Sequence, residues 1–166
     1  MPYRAIMQEQ YEVEFSPADT NAFTGRSVAQ IPRIDTIWGH GNTTGLINAW
    51  WVTYQDNLAS TANDDWDLRA LTGAGNPEGA TVTFAELRAI YLFTNTTLTL
   101  SPHPSTNPWT ALGAAFSISV KANTYFRYIC DTDGSLPVTV SDKVLRINNP
   151  GLTAATYSLA ILGTLN

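Results

Sequence analysis

Apolar and polar positions alternate with a period of two along much of this chain, and clusters of Gly, Pro, Asn and Asp break the alternation at intervals of about ten residues. Tyr11–Phe15, Leu46–Tyr54, Phe116–Val120 and Thr124–Cys130 read as strands on this basis, with Tyr3–Met7 and Leu98–Leu100 as shorter ones. Leu87–Asn95 mixes good helix formers with a β-branched and aromatic run, and the run favours a strand. The clearest local unit is Pro137–Gly163. There, Lys143–Ile147 and Thr156–Leu162 flank the turn residues Asn148, Asn149, Pro150 and Gly151, a pattern that predicts a hairpin.

Convincing helical periodicity is absent. Asp64–Leu71 accommodates at most a helical turn inside a loop, and Gly73–Gly79 and Asp131–Gly134 read as loops by composition. Pro32 lacks a backbone donor and keeps Val28–Ile34 at a sheet edge. Short strands separated by turn chemistry predict an all-β fold, an antiparallel β-sandwich or jelly roll with an extended N-terminal arm. Residues 1–35 form the arm or edge strands in this reading, and residues 36–166 the sandwich domain.

A chain of 166 residues suffices for one such domain without disulfides, and the lone Cys130 reads as a small buried hydrophobe. Charged residues make up 14% of the chain against roughly 25% in ordinary soluble domains. With five Trp, seven Tyr and six Phe, that deficit favours a surface held against protein partners, because interface centres are poor in charge and rich in aromatic rings. The net charge of −5 and the lack of any Lys/Arg run argue against a nucleic-acid partner. No apolar run is long enough to predict a membrane span or a signal peptide.

Five residues stand out as interface candidates: Tyr11, Phe15, Trp50, Trp51 and Trp109. Trp50 and Trp51 are adjacent in a strand and point to opposite faces, so one is expected in the core and the other at a subunit contact. Trp109 follows the proline-rich stretch Ser101–Pro108 and is expected to be exposed. No catalytic, cofactor-binding or metal-binding residues are assigned. His40 and His103 lack zinc-site spacing, no Gly-x-Ser-x-Gly occurs, and Asp131–Ser135 departs from a calcium loop in its Gly and Glu positions. Asp64, Asp65 and Asp67 read as solvated carboxylates.

From about Trp50 onward the order of features resembles a family of tailed-bacteriophage virion proteins with a small β-sandwich domain. The pieces that carry the resemblance are Asn57–Ala59, Asp65–Leu68, Leu71–Gly73, Thr81–Ile90, Asp142–Gly151 and Tyr157–Gly163. The resemblance implies a non-enzymatic homo-oligomer that decorates or cements a capsid. Its partners would be the major capsid protein or other virion proteins, and its location the capsid surface after synthesis in the host cytoplasm. A head, neck or tail fibre element is the alternative within that class. A carbohydrate-binding module, a sandwich of similar size that stacks sugars on tryptophan, is the alternative from another.

Overall fold

The computed structural model describes residues 47–72, 81–130 and 135–165 in full, together with the backbone of the strands within 5–9, 12–15, 27–30, 34–40 and at Leu46. The described elements are all strands. β1 (Ala5–Glu9), β2 (Glu12–Phe15), β3 (Ser27–Gln30), β4 (Ile34–His40) and β5 (Leu46–Ile47) come first. They are followed by β6 (Ala49–Leu58), β7 (Asn63–Asp67), β8 (Phe84–Thr94), β9 (Leu98–Pro102) and β10 (Ile118–Val120). The chain closes with β11 (Thr124–Ile129), β12 (Leu136–Pro137), β13 (Val144–Asn148) and β14 (Ala155–Leu165).

Two antiparallel sheets make the sandwich. The larger runs β11-β8-β14-β6, with β12 also paired to β8, and the smaller runs β10-β9-β13-β7. The predicted antiparallel sandwich is therefore what the chain forms. Inward side chains of both sheets share one core that includes Trp51, Phe84, Ile90, Leu92, Leu98, Leu100, Leu145, Ile147, Leu159 and Ile161. Cys130 belongs to it as a buried apolar group, and burial raises the pKa of its thiol above the ordinary value.

The N-terminal strands pair among themselves. β1 pairs antiparallel with β4, from Ala5 opposite Trp38 to Glu9 opposite Ile34. β2 pairs with β3, from Glu12 opposite Gln30 to Phe15 opposite Ser27. The β2–β3 pair falls between β1 and β4 in chain order and forms a separate two-stranded sheet. β4 pairs in parallel with β5, Gly39 and His40 opposite Leu46 and Ile47.

Two sequence expectations are corrected. Asp64–Asp67 is strand and not loop, because Asn63–Asp67 pairs residue for residue with Val144–Asn148 as β7, and the short turn expected in this stretch follows at Leu68–Ala70, where the Ala70 N–H donates to the Asp67 carbonyl at 2.9 Å. The strands around Asn148–Gly151 do not form a hairpin, because β13 lies in the small sheet and β14 in the large one. Their connection is an arch from sheet to sheet. The β6–β7 connection is a second arch at the same end, since β6 neighbours β14 and β7 neighbours β13.

Asn149 joins the two arches. Its side-chain amide donates to the carbonyls of Leu58, Ala59 and Thr153 at 3.3, 3.0 and 2.9 Å, and its Oδ1 accepts the Gly151 N–H at 3.0 Å. Its own N–H donates to the Ala62 carbonyl at 2.9 Å. The residue is fully buried, so these are the partners its polar atoms require.

Three bulges set which residues face inward. Opposite β14, β8 carries Arg88 as an extra residue between Leu87 and Ala89, and Ala85 as another between Phe84 and Glu86. β6 carries its extra residue at Tyr54–Gln55 opposite Ser158, where Gln55 takes a left-handed φ of 52° and its N–H donates to the Ser158 hydroxyl. Each bulge flips the inside–outside phase. Trp51 before the β6 bulge and Leu58 after it therefore both reach the core despite their odd spacing. Gly163 lies against the Arg88 bulge, where a Cβ would sit 2.1 Å from the Glu86 carbonyl oxygen, so no larger residue fits.

Replacing Asn149 with Ala is expected to cost about 2–4 kcal/mol of unfolding free energy, because it strands several buried carbonyls and one N–H. Denaturant titration of wild type and variant measures it. A loss below that of an ordinary surface substitution would mean that the arches hold without the side chain.

Candidate functional site

The two outer faces of the sandwich differ in chemistry, and the strand registers show how. On the small sheet, the outward positions are Asn63, Asp65 and Asp67 of β7, Arg146 and Asn148 of β13, Thr99 and Ser101 of β9 and Ser119 of β10. Arg146 donates to both carboxylate oxygens of Asp65, Nε to Oδ1 at 2.7 Å and Nη2 to Oδ2 at 2.8 Å. That bidentate hydrogen bond holds Asp65 below the usual carboxylate range. His103 accepts the N–H groups of Ser105 and Thr106 at Nδ1, which leaves Nε2 facing Asp65 Oδ2 at 3.6 Å. Lys143 pairs with Asp67 at 2.6 Å.

These carboxylates are committed to protein partners. Asp64, the third of the group, points inward and accepts the Tyr157 hydroxyl at 2.6 Å. Tyr157 in turn accepts the Trp66 indole N–H at 3.0 Å, and Trp66 lies 4.8 Å from Trp51, centroid to centroid. This buried chain links β14 of the large sheet to β7 of the small one.

The large sheet presents a different outer face. Its cross-strand rows read Tyr125–Phe93–Ser158, Arg127–Tyr91–Ala160–Val52 and Ile129–Ala89–Leu162–Trp50. Rings dominate the first row: Tyr125 lies 4.9 Å from Phe93 and 5.2 Å from Tyr91, with the planes inclined by 42° and 43°. Tyr125 is 60% exposed and Trp50 41%, while Tyr54 at the β6 bulge is 75% exposed. Across the third row lies Ile47, buried with Ala89, Ile129 and Leu162. Exposed rings on a sheet surface are costly to leave in water, which makes Tyr125, Tyr54 and Trp50 the interaction candidates of this face.

Of the sequence candidates, Trp50 and Trp51 do point to opposite faces, Trp50 outward and Trp51 into the core. Trp51 is therefore a packing residue, with its indole N–H on the Thr72 carbonyl at 3.3 Å. Trp109 is corrected outright: it is 0% exposed, donates from Nε1 to the Pro137 carbonyl at 2.9 Å and meets Phe116 edge-on at 6.1 Å. The proline-rich stretch does not lift it into solvent, because its backbone N–H is bonded to the Val144 carbonyl and Thr110 beside it is held by Asp142. Tyr11 and the side chain of Phe15 lie outside the described residues, as do the Gly73–Gly79 and Asp131–Gly134 loops.

Tyr91, Phe93 and Tyr125 are the residues that sequence reasoning missed. Their signal is present: Ile90 and Leu92 alternate with Tyr91 and Phe93, and Phe126 and Tyr128 alternate with Tyr125, so both faces of these strands are apolar. A strand with two apolar faces needs cover on both.

No family model matches the sequence. No curated protein matches it either. Among solved structures the chain is similar to the coat protein of tobacco streak virus, at 14% identity over 68% of this chain and 84% of that one. The TM-score is 0.32, a likeness too distant to transfer a role.

Two outcomes follow from this arrangement. Trp51→Ala is expected to cost about 3–5 kcal/mol of stability and Trp50→Ala about 1 kcal/mol or less, as denaturant midpoints will show; equal costs would mean that both rings serve the core. Tyr157 gives a pH signature. Burial, and then the Asp64 carboxylate it faces, raise its pKa above the ordinary 10.0, so the folded state favours the neutral phenol. The stability this contributes is complete below that ordinary value and is lost as pH climbs past it. Tyr157→Phe is expected to flatten the alkaline fall in unfolding free energy while lowering stability at neutral pH by about 1–2 kcal/mol. An unchanged alkaline slope would mean that another group carries it.

Proposed function

We propose that this protein is a non-enzymatic structural subunit of a virion, a capsid decoration or cement protein that works by shape and buried area. The observation that carries the reading is the contrast between the outer faces. Paired charges and hydroxyls cover the small sheet, while Trp50, Tyr91, Phe93 and Tyr125 line the large one. A subunit with one wet face and one apolar face is built to lie on something. The small sheet meets solvent, and the large sheet is buried against neighbouring protein.

Support also comes from the low charge content and from the resemblance of Thr81–Ile90 and Asp142–Gly151 to tailed-phage virion proteins. In this reading the partners are the major capsid protein and further copies of the chain, and the working location is the capsid surface. Burying a ring of this size contributes about 1.5–3 kcal/mol, so a few such contacts per subunit, repeated over a lattice, oppose outward pressure on the shell. The carbohydrate-binding alternative has less support. Trp109 is unavailable to a ligand, and the exposed rings are inclined to one another where a flat sugar-stacking platform needs them aligned.

The test is co-sedimentation of the full chain with particles that lack it. Wild type is expected to bind at a copy number matching the shell subunits, and a variant carrying Trp50→Asp and Tyr125→Asp to bind at least about tenfold more weakly, because it would bury unpaired carboxylates. Undiminished binding by a folded double variant would refute the assignment of the face. A copy number of only a few per particle would move the protein to the neck, tail or a fibre.

A further inference from the structure

The segment 103–107, which follows β9 on the small-sheet side, is closed by the ring of its own first residue. Pro102, Pro104 and Pro108 carry no backbone N–H, so the donors between them are those of His103, Ser105, Thr106 and Asn107. The His103 N–H donates to the Val144 carbonyl at 3.2 Å. The N–H groups of Ser105 and Thr106 both donate to Nδ1 of the His103 imidazole, at 3.2 and 2.7 Å. Pro104, Ser105 and Thr106 are exposed, and among the described residues no other hydrogen bond holds their backbone.

The two ends of the segment are anchored independently of the ring. On one side stands the bond from His103 to Val144. On the other, Asn107 has a left-handed φ of 42°, and its carbonyl accepts the N–H groups of Lys143 and Val144 at 3.0 and 2.8 Å. Trp109 follows, with its backbone N–H on the Val144 carbonyl and its indole N–H on the Pro137 carbonyl. Residues 104–106 are therefore a strap, fixed at both ends and latched in the middle by a single nitrogen.

A nitrogen that accepts two N–H groups carries no proton, so the ring is neutral with its hydrogen on Nε2. Nε2 faces Asp65 Oδ2 at 3.6 Å, beyond hydrogen-bond length, and the side chain keeps 15% exposure, enough to exchange protons with solvent. A second proton has to enter at Nδ1. There it opposes two N–H dipoles and removes the acceptor on which the strap closes. On the other side of the ring the new charge is favoured, because the Asp65 carboxylate of β7 faces it. The remaining charged groups nearby belong to β13: Arg146 is bonded to Asp65, and Lys143 to Asp67. β9 brings Thr99 and Ser101 to this face and no charge.

We propose that His103 is a pH-operated latch on the small-sheet side: the neutral imidazole holds residues 104–106 closed, and protonation releases them while the ring turns its charge to Asp65. The ligand of the switch is the proton. Release is confined to the strap, because the bonds of His103, Asn107 and Trp109 to β13 and to Pro137 do not involve the ring.

The experiment is hydrogen exchange of the full chain at about pH 8 and about pH 5, either side of the interval in which imidazoles ordinarily gain their proton. Mass spectrometry reads fragments covering 101–109, with rates normalised to the intrinsic rate at each pH. Wild type is expected to exchange at Ser105 and Thr106 at least about tenfold more slowly at the higher pH, the scale of one lost hydrogen bond. His103→Asn, whose Oδ1 accepts the same N–H groups without titrating, is expected to keep protection at both pH values, and His103→Ala to show it at neither. Asp65→Asn, which withdraws the charge that favours the imidazolium, is expected to need more acid for the same release. Equal protection of wild type at both pH values overturns the proposal, as does release in His103→Asn like that of wild type, protection retained in His103→Ala, or an unchanged response in Asp65→Asn. Loss of protection that spreads through β9 and β13 at pH 5 also overturns it, since acid then unfolds the sheet and does not open a strap.

Discussion

The sandwich depends on how two sheets are held in register at the end where the chain crosses between them twice, and Asn149 sets that register. The β6–β7 and β13–β14 arches have carbonyls that no ladder reaches, because a strand leaving one sheet for the other abandons its neighbours. A single buried amide satisfies three of these carbonyls and one N–H on both arches. Apolar burial presses the sheets together but is indifferent to small slides. Directional bonds at the arches, and the Tyr157–Asp64 and Trp66–Tyr157 bonds between β14 and β7, remove that freedom.

With the sheets fixed, the bulges determine the faces. An uninterrupted β8 would carry Leu87 and Ile90 to opposite sides, and the extra residue Arg88 brings both into the core. An uninterrupted β6 would split Trp51 from Leu58 in the same way. Gly163 is the cost of this arrangement on β14, the one position where the Glu86 carbonyl comes too close for any side chain. The phase that results places Tyr91, Phe93 and Tyr125 together outside, so the aromatic face is a product of the same irregularities that complete the core.

Much of this was legible in the sequence. Alternation found most of the sandwich strands, turn chemistry found their ends, and the opposed directions of Trp50 and Trp51 followed from adjacency alone. What was misread has a common physical origin. A hairpin and an arch present the same local pattern of two alternating strands and a turn. The difference lies in partners such as Leu58 and Ala59, about ninety residues from Asn149. Asn63–Asp67 has poor strand propensity and becomes a strand because β13 pairs with it along its whole length. Trp109 looked exposed because prolines surround it, yet the Pro137 and Val144 carbonyls that fix it come from the far end of the chain.

The scarcity of charge takes on a definite meaning once the charges are placed. On the small sheet, Asp65 with Arg146 and Asp67 with Lys143 form pairs across β7 and β13, and Glu86 meets Arg88 at the bulge of β8. Charges engaged in pairs contribute little to stability at a surface but keep that surface wetted. The outer face of the large sheet mixes rings and aliphatic groups with Arg127, Ser158, Thr156 and Asn57. Here the ion pairs Asp65–Arg146 and Asp67–Lys143 lie on the small sheet, while Trp50, Tyr91, Phe93 and Tyr125 share the outer face of the large sheet with Arg127.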